Sequence, residues 1–142
     1  LAHDILNFEE FYEKNNVKSV DIEELIKKSD VVTLHLPLDD STKNIMNEER
    51  LQMLKSSAVL INLARGGLID EAILKKMLLE KRIAGAALDV FEIEPPTDKE
   101  FLTMDNVLIT PHIGASTEEA ILAMGMAAID GLDNAKDPLE FK

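Results

Sequence analysis

Ala58-Val-Leu-Ile-Asn-Leu-Ala-Arg-Gly-Gly67 is the stretch that decides the fold. Its first seven residues are almost wholly apolar, do not alternate, and end at a cation followed by two glycines. A continuous run of this length reads as a strand buried on both faces, because a half-solvated strand would alternate. Comparable runs recur at 17–20, 30–36, 84–90 and 106–110. Between them lie helical patterns at 8–15, 21–28, 47–54, 70–82 and 117–134. Several open on capping residues: Asp21 with Glu24 three positions on, Asp70 ahead of Glu71-Ala-Ile-Leu, and Ser116 ahead of Thr117-Glu118-Glu119. Strands alternating with helices predict βαβ units, and so an α/β fold around a parallel sheet. The stretches 37–43 and 92–100 read as loops at the C-terminal ends of strands. The Met-rich segment Ala123-Met-Gly-Met126 reads as core packing.

Three of the apolar runs end in residues with chemistry. Arg65 closes the run at 58–64, Glu94 follows Asp89-Val-Phe-Glu-Ile and precedes Pro95-Pro96, and His112 follows Asn106-Val-Leu-Ile-Thr-Pro111. Ligands of open α/β sheets bind outside the carboxyl ends of the strands. These ends therefore direct a fixed cation, a carboxylate and an imidazole towards one crevice, which suits gripping an anionic substrate and moving a proton.

Composition narrows the class. A chain of 142 residues suits one domain and buries roughly two-thirds of its unfolded surface. A net charge of −12 argues against nucleic-acid or anionic-membrane partners, which require clustered Lys and Arg. With no cysteine there are no disulfides, thiolate metal sites or cysteine nucleophile, and no metal site is expected. No apolar run approaches the ~20 residues of a membrane span, and no signal-peptide pattern opens the chain. A cytoplasmic protein is the expectation.

The segments Leu34-His35-Leu36-Pro37, Asn62-Leu-Ala-Arg65-Gly66-Gly67, Asp89-Val-Phe-Glu-Ile-Glu94-Pro95 and Thr110-Pro-His112-Ile-Gly114-Ala-Ser-Thr117 stand in this order, with 29 residues from Arg65 to Glu94. Together they resemble the successive signatures of the D-isomer-specific 2-hydroxyacid dehydrogenases, most closely the phosphoglycerate dehydrogenase branch. The resemblance covers nearly the whole chain. It implies a Rossmann-type domain that binds NAD and serves hydride transfer between nicotinamide C4 and C2 of a 2-hydroxy or 2-keto acid. A small anionic substrate, 3-phosphoglycerate by the branch resembled, a place in serine biosynthesis and a homodimer are implied with it.

The resemblance also assigns roles. His112 is the acid–base group, since an imidazole can take or give a proton around neutrality and so serve both directions. Glu94 orients the imidazole and raises its pKa. Arg65 offers planar donors to the substrate carboxylate and C2 oxygen. Asp89 lies near the nicotinamide carboxamide. The backbone around Ala64 and the turn at Gly114 and Ala115 approach the nicotinamide ring, while His35, Leu36 and Pro37 wall the adenosine pocket and Thr42 also belongs to the cofactor-binding set. Asp4, in a segment resembling the end of the family's second strand, binds the ribose hydroxyls and favours NAD over its 2′-phosphorylated form.

One family feature is missing. A Rossmann domain carries G-x-G-x-x-G between its first strand and helix, where backbone N–H groups meet the pyrophosphate. Gly66, Gly67 and Gly85 do not form that pattern. The expectation is therefore a partial NAD-binding domain spanning 1–142, with the glycine loop and the separate substrate domain lying outside it. In the family strand order 3-2-1-4-5-6, the run at 17–20 then loses its neighbour and the run at 30–36 becomes an exposed edge. That edge should recruit another chain, or the first ~20–28 residues should be poorly placed. The isolated chain should be inactive. A non-enzymatic NAD-sensing module of the co-repressor type and an inert truncation are the alternative readings.

Overall fold

In a computed structural model, residues 1–135 are described, and the chain forms two compact units, Leu1–Pro111 and His112–Lys142. In the first unit four strands, β1 (Val31–Leu34), β2 (Val59–Asn62), β3 (Gly85–Leu88) and β4 (Val107–Ile109), lie side by side in chain order. Every pairing is parallel. Helices α1 (Glu9–Lys14) and α2 (Ile22–Lys28) precede β1, and α3 (Glu48–Gln52), α4 (Glu71–Leu79) and α5 (Lys99–Leu102) connect the strands. The second unit contains α6 (Glu118–Asp133). This is the α/β, Rossmann-like arrangement that the alternation predicts.

Short polar side chains set the helix starts. Asp21 accepts the Glu24 N–H, Asn47 that of Arg50, Asp70 that of Ile73 and Asp98 that of Phe101, at 2.7–3.1 Å. Each cap is worth about 1 kcal/mol. Ser116 is not a cap. Its N–H closes a turn onto Ile113 O, and the helix begins one residue later, with Thr117 accepting the Ala120 N–H. Helix α4 stops before the expected Arg82 because Lys81 takes a left-handed conformation, φ 54°, and Arg82 N–H folds back onto Met77 O. Helix α5 begins inside the stretch read as a loop at 92–100 and runs two residues past it. Its four residues are too few to show a period.

Register explains the core. Val32, Leu60 and Ala86 align in one row and Leu34, Asn62 and Leu88 in another on the same face. These apolar strand residues form one cluster with Ile26, Leu51, Leu74, Met77 and Leu78. The opposite face carries Val31, Ile61, Ala87 and Leu108, none of which joins that cluster; Val31 is 56% exposed and Leu108 67%. The expectation of strands buried on both faces is thus corrected. An unbroken apolar run shows that both faces are apolar, but it does not say what covers each one.

The run at 17–20 is not a strand of this sheet. Ser19 makes an isolated parallel bridge to Ala2, with Ala2 N–H donating to Lys18 O and Val20 N–H to Ala2 O. The stretch ahead of β1 is nonetheless in place. Ile26 of α2 is 1% exposed, and Tyr12 of α1 is buried against the edges of Phe8 and Phe11. Strand β1 pairs with β2 alone, so it ends the sheet, as the edge expectation has it. Met124 and Met126 are 55% and 48% exposed, and α6 holds no buried residue. Those methionines are not core, because apolar character on a helix does not supply the surface it packs on. No helix among the described residues is long and apolar enough to cross a membrane.

Candidate active site

The loop after β2 is built on a buried side chain. Asn62 is 2% exposed; its Nδ2 donates to Arg65 O at 2.8 Å and its Oδ1 accepts the Ala64 N–H at 3.1 Å. An amide with both donor and acceptor satisfies both backbone groups at once, so it can sit in the apolar cluster without an unpaired atom. Ala64 is half-buried, while the Arg65 side chain is exposed and its Nη1 donates to Ala64 O at 2.6 Å.

The next two glycines have separate reasons. A Cβ on Gly66 would fall 1.9 Å from Phe91 O and 2.6 Å from Glu92 N, so the loop after β2 lies directly on the loop after β3. Gly67 has φ +80°, which glycine adopts freely. Its carbonyl accepts the Asn44 N–H, and Met46 bridges Ile69, tying the segment after β1 to the same region. Gly85 brings β3 close to β4, since a Cβ there would lie 2.8 Å from Asn106 O.

Within the loop after β3, Glu94 is exposed, and its Oε1 accepts the Phe91 N–H at 3.0 Å. The Glu94–Pro95 peptide is cis. Asp89 is 2% exposed; its N–H donates to Asn62 O, and the Thr110 hydroxyl donates to its Oδ1. Glu71, the first residue of α4, accepts the Glu92 N–H at 2.7 Å. Burial first, then the charges of Glu92 and Glu94, push the Glu71 carboxyl above its ordinary 4.5, partly offset by that N–H. The first unit therefore brings Arg65, Asp89 and Glu94 to neighbouring strand ends. His112 opens the second unit, exposed and in the left-handed region, φ 54°; Gly114 and Ala115 follow, also exposed.

The residues expected to wall the adenosine pocket follow the end of β1 in the chain. His35 is exposed, with Nε2 3.1 Å from the Thr33 hydroxyl; Leu36 is half-buried and Pro37 exposed. The Thr42 hydroxyl donates to Pro37 O at 2.7 Å and accepts the Asp39 N–H, closing the turn. Asp39 is held below the usual carboxylate range, first by the Ser41 hydroxyl. Asp4 is exposed just past the Ala2–Ser19 bridge, and its Oδ1 accepts the Leu6 N–H. A carboxylate retains further acceptor sites for a ribose diol. Their polar groups are chemically compatible with the hydroxyls and ring atoms of a nucleoside. No G-x-G-x-x-G turn stands among the described residues to meet a pyrophosphate, and the two glycines between β2 and α4 are otherwise engaged, Gly66 packing against Phe91 and Gly67 taking a left-handed turn. No cluster among them could hold a metal ion.

Sequence reading passed over Asn62, Glu71 and Thr110 as individual groups. Asn62 and Thr110 carried a signal, since each is a polar residue inside an apolar run. Glu71, beside the Asp70 cap, looked like an ordinary helix-start charge.

The chain is 54% identical over 105 residues to a D-3-phosphoglycerate dehydrogenase of Methanocaldococcus jannaschii, covering 74% of this chain and 20% of that protein. It is 44% identical over 117 residues to a hydroxypyruvate reductase of Thermotoga maritima, covering 80% and 38%. Among solved structures, the D-lactate dehydrogenase from Aquifex aeolicus complexed with NAD and lactic acid superposes with a TM-score of 0.79 at 31% identity, over 92% of this chain and 44% of that one. The chain thus spans less than half the length of each of these proteins. Residues 1–114 match the NAD binding domain of the D-isomer specific 2-hydroxyacid dehydrogenases, and with the parallel sheet and strand-end residues described above the chain belongs to that family.

Proposed function

We propose that the chain is the NAD-binding part of a longer cytoplasmic D-2-hydroxyacid dehydrogenase that works as a homodimer on 3-phosphoglycerate. The observation that carries this reading is the seating of Gly66 against Phe91 and Glu92. It sets the loop bearing Arg65 beside the loop bearing Glu94, at the sheet end where such folds bind ligands. NAD, when bound, takes up the hydride from C2 of the hydroxy acid or, in its reduced form, returns it.

The chain's own residues do the rest. Arg65 pairs with the substrate carboxylate and holds the C2 oxygen in a fixed plane. His112 removes the hydroxyl proton during oxidation and returns it to the C2 oxygen during reduction. Glu94 supplies the negative charge that favours the imidazolium form of His112. Asp4 accepts hydrogen bonds from the adenosine ribose, and Asp89 and the Ala64 backbone serve the nicotinamide side. Gly114 and Ala115 form the small-residue turn that a ring approaches closely. Without a pyrophosphate loop, the 142-residue chain alone is inactive.

The test is steady-state kinetics on the full-length protein with NAD or NADH. D-3-Phosphoglycerate should exceed D-glycerate, glyoxylate and hydroxypyruvate in kcat/KM. His112→Ala and Arg65→Ala should each lower turnover by at least ~10²-fold. Preference for one of the shorter acids would overturn the substrate assignment. Turnover within about threefold of the parent for His112→Ala would remove it from proton transfer.

A further inference from the structure

The backbone at Phe91 and Glu92 is held by two contacts. Gly66 lies against it. Glu71 reaches from the first position of α4 to accept the Glu92 N–H at 2.7 Å. Two residues further on is Glu94, whose carboxylate caps the Phe91 N–H of the same short loop. The Glu92 side chain faces outward to Lys43, 3.9 Å away. Glu71 thus ties this loop's backbone to the body of the first unit by a hydrogen bond, as Phe101 of α5 does by packing on the Phe91 ring.

Its surroundings make it an expensive choice. Glu71 is half-buried and stands near Glu92 and Glu94. Among the described residues no cation offsets it at close range: Lys75, one turn along α4, is engaged by Asp98 and Glu100 at 2.6 and 2.7 Å. Asp70, the neighbouring acid, is committed to the Ile73 N–H. Burial and like charges both disfavour a carboxylate here. An apolar residue would avoid that cost but leave the Glu92 N–H without its acceptor.

We propose that Glu71 is a positioning residue for hydride transfer, fixing through the Glu92 N–H the loop from which Glu94 acts. The proposal rests on the dehydrogenase reading above and on the role of Glu94 in it. Glu71 touches neither substrate nor cofactor. Its effect lies in where the Glu94 carboxylate is held, and misplacing a working group by even an ångström costs rate rather than binding.

The experiment compares Glu71→Ala, Glu71→Gln and Glu94→Gln in the full-length protein. Glu71→Ala should lower kcat by about 10-fold, leaving both KM values within about twofold. It should also move the imidazole limb of the kcat/KM pH profile downward, as Glu94→Gln does. Glu71→Gln keeps an oxygen for the Glu92 N–H and should recover most of the lost kcat. In hydrogen exchange, the Glu92 amide should be protected in the parent and the Gln variant and exchange faster in Glu71→Ala. A Glu94→Gln shift accompanied by parental kcat and pH profile in Glu71→Ala would overturn the positioning role alone. A Glu94→Gln profile identical to the parent would overturn the underlying reading of Glu94, and the proposal with it. Failure of the Gln variant to recover kcat would show that the Glu92 contact is not the cause.

Discussion

Gly66 lies so close to Phe91 that a methyl group in place of its α-hydrogen would meet the Phe91 carbonyl oxygen at 1.9 Å. Both partners are backbone, so neither can turn aside as a side chain would. The contact joins the loop after β2 to the loop after β3, and Arg65 and Glu94 flank it in sequence. Glycine at this position therefore serves the site and the fold together.

Gly66→Ala should destabilise the protein by ~3 kcal/mol, the upper end of the usual overpacking cost, because backbone must shift on one side. Gly125, inside α6, offers the contrast, since a Cβ there meets nothing within 4 Å. Gly125→Ala should stabilise by about 0.5–1 kcal/mol through helix propensity. Urea-unfolding midpoints of the two variants check this pair. Equal and small effects would show that the loops do not pack as described.

Asn62→Leu keeps the side chain's bulk but removes a donor to Arg65 O and an acceptor for Ala64 N–H. Leaving both backbone groups unpaired should cost about 2–4 kcal/mol. Because these bonds shape the turn that presents Arg65, KM for the acid substrate should rise in the full-length enzyme. Parental stability together with parental KM would show that Asn62 does not build the turn.

Glu71 and Asp98 should give opposite pH signatures in stability. The Glu71 carboxyl is raised above 4.5, mainly by burial. Its favourable protonated state is fully populated below that value, and the advantage is lost as pH rises through the folded-state pKa. Glu71→Gln, always neutral, should therefore unfold at higher urea than the parent near neutral pH, and the two should converge in acid. Asp98 is lowered below 3.8, first by the Lys75 ammonium. Its contribution is present above 3.8 and disappears as pH falls through its folded-state pKa. Midpoints measured from acid to neutral pH check both signs, and a Gln variant less stable than the parent at neutral pH would contradict the burial argument.

Asp4 sits beyond the Ala2–Ser19 bridge with its carboxylate exposed. In the full-length protein NAD should be preferred over its 2′-phosphorylated form, and Asp4→Ala should weaken NAD and narrow the preference. Kd values for the two cofactors by calorimetry decide it. Equal affinities in the parent would show that Asp4 does not meet the ribose.

Local rules reached far in this chain. The apolar runs around Leu60 and Ala86 and the caps at Asp21 and Asp70 act over a few residues, so hydrophobic pattern and short-range hydrogen bonding make the α/β order readable from the sequence. Short range also explains the errors of one residue, such as Ser116 for Thr117, where two adjacent hydroxyls carry the same signal and only the turn onto Ile113 separates them. The strand-end positions of Arg65, Glu94 and His112 were legible because they follow apolar runs that must be strands.

Other features depend on residues far apart in the chain. Nothing local to Gly66 announces Phe91, and nothing local to Glu71 announces the Glu92 N–H 21 residues away. Nor does an apolar run distinguish the covered face of Leu60 and Ala86 from the exposed face of Val31 and Leu108, since coverage is set by where helices pack. The sequence by itself determined the four sheet strands, most of the helices, their order and the chemical groups at the strand ends, because those follow from local pattern. Only the tertiary structure decided which loops touch and which groups hold them, because those contacts arise when parallel strands bring distant segments to the same edge.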